Sequence, residues 1–253
     1  MIQHVAGAAR FGSILLAALA LSSMATPSRA DMSVYGLYDL RHATDPADNP
    51  GDFPVIELKG LFHLGFGSFL FKEEIDLDGA KDNPSQVYTE LDQSIKLGHA
   101  TLWGAPLLLH LGYSGGLGLF DGTSGGYYVQ NAYSIGPEYS FRLAGAYCDV
   151  YAALRYTDAV QRSYDPTMAF WIGKYFLGYK VLVANSLEAW TEPYAPVDGS
   201  GGRRIASWEL ESEAWYQIAR DLSVGTYVRT TRNVYTLSGR WVIYPSIGVR
   251  YAF

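Results

Sequence analysis

The chain predicts an all-β fold, a transmembrane antiparallel up-and-down β-barrel of about twelve strands with both termini periplasmic. Three observations carry that expectation: a strictly alternating closing segment, recurrence of such segments along the chain, and links between them that alternate short and long.

In the closing segment Trp241, Ile243, Pro245, Ile247, Val249, Tyr251 and Phe253 share one face. Val242, Tyr244, Ser246, Gly248, Arg250 and Ala252 share the other. Strand side chains alternate faces with a period of two, so one face is apolar from end to end and the other is mixed. Trp241 at one end of the apolar face, and Tyr251 with Phe253 at the other, match the aromatic girdles of a membrane strand.

Residues 1–30 have the layout of a cleavable export signal. Arg10 supplies a positive flank, 11–25 is apolar, and Ser28-Arg29-Ala30 offers small residues before a cut at Asp31. A membrane anchor is the alternative, but the apolar run falls short of the roughly 20 residues a spanning helix needs. The barrel is then 31–253. The formal net charge of −6 becomes more negative once Arg10 and Arg29 leave. That excludes nucleic acid as a partner, since phosphate binding wants a concentrated basic surface. The single cysteine, Cys148, cannot form an internal disulfide.

Alternating segments fall near 32–42, 54–64, 67–77, 86–97, 105–114, 128–141, 145–156, 167–176, 179–191, 205–217, 221–232 and 240–253. Most reach the roughly 9–11 residues a tilted strand needs to cross the hydrocarbon layer. Short links at 65–66, 98–104, 142–144, 177–178 and 218–220 alternate with longer ones at 43–53, 78–85, 115–127, 157–166, 192–204 and 233–239. An even-stranded barrel has this form, with short turns at one end and long loops at the other. The Gly-rich loop at 115–127 is long enough to fold inward as a constriction.

Turning the apolar face to lipid sends the charges inward, because Arg or Lys near mid-bilayer costs roughly 2–4 kcal/mol. Strand ten points Glu209, Glu211, Glu213, Trp215 and Gln217 in, with Trp208, Leu210, Ser212, Ala214, Tyr216 and Ile218 out. Strand four points Tyr88, Glu90, Asp92, Ser94 and Lys96 in; strand three points Lys72, Glu74 and Asp76 in and leaves Glu73 outside. Further lumen candidates are Asp39, Arg41, Glu57, Lys59, His63, His110, Glu138, Asp149, Tyr151, Arg155, Lys180, Glu188, Tyr227, Arg229 and Arg250. Such a set is expected to brace the wall by pairing, in a lumen between that of a filled eight-stranded barrel and an open 16-stranded porin.

No catalytic, cofactor or metal motif emerges. His63 and His110 are each followed two residues on by glycine, so neither has a serine beside it on its own strand face. A nucleophile–base pair across strands stays open. No His or Cys ligands recur at metal-binding intervals. No cofactor is expected, and the protein is not read as an enzyme.

The chain resembles the Tsx-like nucleoside-specific channel-forming outer-membrane proteins, and within that group an uncharacterised sister family. The resemblance rests on the strand count and loop alternation, on Tyr35-Gly36-Leu37-Tyr38-Asp39 and Tyr88-Thr89-Glu90-Leu91, on 128–136 (YVQNAYSIG), and on 245–253 (PSIGVRYAF). It implies a monomeric twelve-stranded barrel in the outer membrane of a Gram-negative bacterium, bedded in outer-membrane lipids. It also implies a terminal strand ending in Phe253 that the barrel-assembly machinery reads, and a narrow channel for nucleosides or similar small polar solutes.

Passive uptake of a small polar solute is therefore the leading expectation, with Tyr88, Tyr151, Trp215 and Tyr227 available to stack on a flat ligand. Two alternatives stand beside it: a filled, non-conducting structural or surface barrel, and, resting on His63 and His110 alone, a membrane-embedded hydrolase.

Overall fold

A computed structural model describes residues 29–46, 51–77, 85–119, 126–158, 163–194, 203–234 and 239–253. The expected export signal lies outside them except for its last two residues. Twelve strands form one closed antiparallel barrel: β1 (Arg29–Asp39), β2 (Phe53–Leu64), β3 (Gly67–Asp76), β4 (Gln86–Leu102), β5 (Ala105–Leu119), β6 (Gly126–Leu143), β7 (Ala146–Thr157), β8 (Ser163–Phe176), β9 (Val181–Tyr194), β10 (Arg203–Gln217), β11 (Leu222–Arg232) and β12 (Trp241–Ala252). Each strand pairs with its sequence neighbours, and β1 pairs with β12 from Ser33–Ala252 to Asp39–Ser246. A single helical turn, α1 (Arg41–Thr44), follows β1.

The alternation decides which surface is which. On β12, Trp241, Ile243, Ile247, Val249 and Tyr251 are exposed on the outer surface, while Val242, Tyr244 and Ser246 are buried inside. Leu154, Met168, Leu187, Leu210 and Val224 continue the apolar outer surface on the neighbouring strands. Aromatic rings gather at both edges of it. Toward the long loops, Tyr113, Tyr133, Tyr156 and Tyr164 run from strand to strand with centroids 5.3, 6.3 and 5.0 Å apart. Toward the short turns lie Trp103 with Tyr139 at 6.1 Å, Tyr139 with Phe141 at 5.4 Å, and Tyr251 with Phe253 at 5.1 Å. Rings with a polar edge suit a boundary between hydrocarbon and water.

Several strands outrun their expected ends. The link at 98–104 is corrected most: β4 continues through it to Leu102, with a register shift between Lys96 and Thr101. Only Trp103 and Gly104 turn, at φ 48° and 84°. Positive φ at both central residues matches the twist of a two-residue hairpin, and Ala144-Gly145 repeats it at 49° and 80°. Of the loop at 115–127, residues 120–125 lie outside those described, and its flanks extend β5 and β6. Lys180 belongs to a turn rather than to the lumen wall, and Arg41 sits in α1.

One position sets how closely β3 and β4 approach. A Cβ on Gly67 would overlap the carbonyl oxygen of Ser94 and sit 2.8 Å from its carbon, both rigid backbone. Gly67→Ala is expected to cost about 1–3 kcal/mol, the usual penalty of overpacking, read as a lower thermal unfolding temperature in detergent. An unchanged melt would show that the β3–β4 ladder yields there.

Candidate functional site in the barrel lumen

The lumen has two unlike halves. The first is built from β1–β3 and β10–β12. Their inward rows are Tyr35 and Leu37; Phe53, Val55, Glu57 and Lys59; Lys72, Glu74 and Asp76; Glu209, Glu211, Glu213 and Trp215; Tyr227 and Arg229; and Arg250, as the ladder registers align them. In the closed order β3 stands almost opposite β10, so contacts between them span the lumen. The Lys72 ammonium donates to Glu211 Oε1 at 2.9 Å. Arg229 holds Glu74 through two N–H donors at 3.1 and 2.6 Å, the forked geometry that makes arginine–carboxylate pairs strong. The same guanidinium reaches Glu211 at 3.3 Å and Glu209 at 3.8 Å. Lys59 pairs with Glu57 at 3.0 Å.

An apolar cluster crosses beside this network: Tyr35, Leu37, Phe53 and Val55 from β1 and β2 meet Trp215 and Tyr227 from β10 and β11. The Tyr35 and Trp215 rings meet edge to face at 5.3 Å, and Trp215 Nε1 donates to Glu213 at 2.7 Å. Arg250 donates to the Ser33 hydroxyl at 3.1–3.2 Å. At the loop end Arg41 lies over the rings of Phe53 and Tyr244, at 4.5 and 4.7 Å, and donates to Asp39. His63 stands at the opposite mouth, 3.9 Å from Asp31.

The second half is the wall from β4 to β9. Glu90, Asp92, Glu138, Asp149 and Glu188 face the lumen there, with Arg155 as the permanent cation among them. Glu90 and Asp92 stand two residues apart on one face of β4, and Glu138 and Asp149 lie on the paired strands β6 and β7. Asp149 accepts from the Ser140 hydroxyl. His110 lies between the two acid pairs, 3.8 Å from Asp92 through Nε2 and 3.7 Å from Glu138 through Nδ1. Tyr151 stacks on its ring with centroids 3.8 Å apart. Thr167 donates to Glu188 at 3.2 Å, and the Arg155 guanidinium lies 4.8 Å over the ring of Trp190. Tyr88, Glu90, Asp92, Tyr151, Arg155 and Glu188 enclose a cavity of about 30 Å³, the share of one water molecule.

Two expectations are corrected. Lys96 is exposed at the short-turn rim, where its ammonium donates to the Gly65 carbonyl at 3.1 Å, because β4 runs past the β2–β3 turn. Tyr151, Trp215 and Tyr227 are not free stacking faces. His110, Tyr35 and the cations beside Tyr227 already cover them, with Lys59 at 5.4 Å and Arg229 at 5.7 Å from that ring.

Ser134 was not singled out in the sequence. Its hydroxyl lies 2.9 Å from His110 Nε2, on the neighbouring strand, and no same-strand spacing reveals it. With Glu138 on the other ring nitrogen, the order is that of a nucleophile, base and acid. The backbone around Ser134 is committed to the β5–β6 and β6–β7 ladders. It therefore presents no pair of free N–H groups to stabilise an oxyanion, and the cluster is read as lumen lining.

No protein-family model matches the chain. No curated protein matches it either. Among solved structures the chain is similar to the KdgM porin, at 12% identity and a TM-score of 0.48 over 87% of this chain and 99% of that one. It is also similar to a BenF-like porin from Pseudomonas fluorescens Pf-5, at 10% identity and a TM-score of 0.45 over 89% and 98% of the two chains. OmpF of Salmonella typhi, in complex with daunomycin, gives 9% identity and a TM-score of 0.42 over 89% and 97%. The likeness is one of barrel architecture and does not extend to solute or family.

Proposed function

We propose that the protein is an outer-membrane barrel that passes small polar solutes along the β4–β9 side of its lumen. The apolar outer surface between two aromatic belts supports the membrane setting. An export signal at 1–30 and a β12 recognised by the assembly machinery complete that reading, with the short turns toward the periplasm.

One observation carries the transport reading: the lumen charges are unevenly paired. In the β1–β3 and β10–β12 half, Lys59, Lys72 and Arg229 bind Glu57, Glu74, Glu209 and Glu211, and Arg250 adds a fourth cation, against the six carboxylates of its inward rows. On the β4–β9 wall six carboxylates face inward: Asp165 is taken by Arg204 of β10, and Glu90, Asp92, Glu138, Asp149 and Glu188 have Arg155 as the one permanent cation on the wall itself among the described residues. Bracing alone requires no unpaired acid surface, whereas a passage lined by carboxylates selects cations as acidic rings do in other pores. Nucleosides as cargo rest on the sequence resemblance alone, and liposome swelling with nucleosides against equal-sized sugars tests that point.

The test is single-channel recording in a planar bilayer under a KCl gradient. A small conductance with a cation-selective reversal potential is expected. Changing Glu90 and Glu188 together to Gln should move that potential toward zero. Changing Glu209, Glu211 and Glu213 together to Gln should instead act mainly on thermal stability, since those groups are bound to Arg229, Lys72 and Trp215. The second reading, a filled barrel, draws on the cross-lumen bridges from Lys72 and Arg229. Absence of conductance in every salt would establish it over the first.

A further inference from the structure

We infer that the cavity on the β4–β9 wall is a recognition site for a small zwitterion carrying an ammonium and a carboxylate, as an α-amino acid does. The inference rests on the reading of this wall as a passage and names the solute class it takes.

Acceptors come first. Glu90, Asp92 and Glu188 converge on a space of about 30 Å³ walled by the rings of Tyr88 and Tyr151. An ammonium head is about the size of a water molecule and has three donors to distribute. Among the described residues no group of three His, Cys, Asp or Glu side chains is arranged to hold a metal ion. The cation this wall suits is one whose N–H donors are distributed over the three carboxylates.

Donors come from a separate observation. Arg155 Nη1 and Trp190 Nε1 are both buried without a hydrogen-bond partner, and Trp190 is only 9% exposed. The guanidinium lies over the indole, so two unused donors stand together beside the acidic cavity. A buried donor without an acceptor is costly, and Arg155 makes no ion pair within 4 Å among the described residues. A carboxylate held by Arg155 and Trp190, on the same molecule as an ammonium held by Glu90, Asp92 and Glu188, satisfies both sets at once.

The experiment uses the full barrel in detergent micelles and measures equilibrium binding of three probes at fixed ionic strength: glycine, methylammonium and acetate. Wild type should bind glycine at least about tenfold more tightly than either half-molecule, the effect of one charge-assisted hydrogen bond. Arg155→Met should erase the preference of glycine over methylammonium and leave methylammonium binding in place. Arg155→Lys, which keeps the charge, should retain the preference for glycine. Glu188→Gln should weaken glycine and methylammonium alike and leave acetate unchanged. Glycine binding no tighter than methylammonium in wild type overturns the inference, as does equal loss of all three probes in Arg155→Met. Conductance is recorded separately. A conducting barrel that ignores glycine refutes this site alone, and a glycine-binding barrel that never conducts refutes the transport reading.

Discussion

Replacing Arg229 with Met should destabilise the barrel by about 3–5 kcal/mol, the cost of stranding buried charges by removing their partner. Arg229 is 12% exposed and serves three carboxylates, Glu74, Glu209 and Glu211. Met retains much of the apolar stem and removes the fork, so the loss reports on charge rather than on volume. The measurement is the unfolding midpoint in urea with purified protein in detergent. Adding Glu74→Gln to Arg229→Met should recover part of the loss, because the carboxylate held by the fork is then no longer stranded. A single variant as stable as wild type would mean that water already reaches this network and that it does not brace the wall.

Trp215→Ala should cost about as much, roughly 3–5 kcal/mol for truncating a large buried aromatic. Trp215 is 1% exposed and joins β10 to Tyr35 across the lumen. Its removal also opens space within the cross-lumen cluster. The expected result is a lower unfolding midpoint together with a larger unit conductance than wild type. A drop in stability with no gain in conductance would place the passage entirely on the β4–β9 side.

Much of the architecture was legible because a barrel strand with an apolar outer and a polar inner face must alternate. The parity of 240–253, and of Glu209, Glu211 and Glu213 with Trp215, assigns faces with no knowledge of partners. Links were harder, since turn type depends on two backbone angles: the seven residues at 98–104 became a two-residue turn at Trp103-Gly104 and a longer β4. Pairing across the lumen was not legible. The bond from Lys72 to Glu211 joins positions 139 apart, and that from Arg229 to Glu74 joins positions 155 apart. Both depend on strand tilt and stagger, which alternation does not encode. Pairing of the Glu209, Glu211 and Glu213 row was expected, but its partners come from strands far away in sequence. That Glu90, Asp92, Glu138, Asp149 and Glu188 stand with only one cation on their own wall was not legible, for the same reason. Ser134 escaped notice for the same reason: its partner His110 is a diagonal neighbour on another strand.

The closing seam governs the order in which the molecule can be made. β1 and β12 share seven register pairs against eleven between β1 and β2, and the Arg250–Ser33 hydrogen bond at that seam joins residues 217 positions apart. Joining ends so distant costs about 5 kcal/mol of chain entropy before any contact repays it. Hairpins can form as the chain emerges, but the cylinder cannot close until its last strand exists. Until then the edges of β1 and β11 carry unpaired backbone groups, which hydrocarbon would not tolerate in the proposed membrane setting. A chain stopped before Trp241 is therefore an open sheet with two unpaired edges rather than a smaller barrel. In the proposed membrane setting, insertion and closure are one event, timed by the arrival of β12.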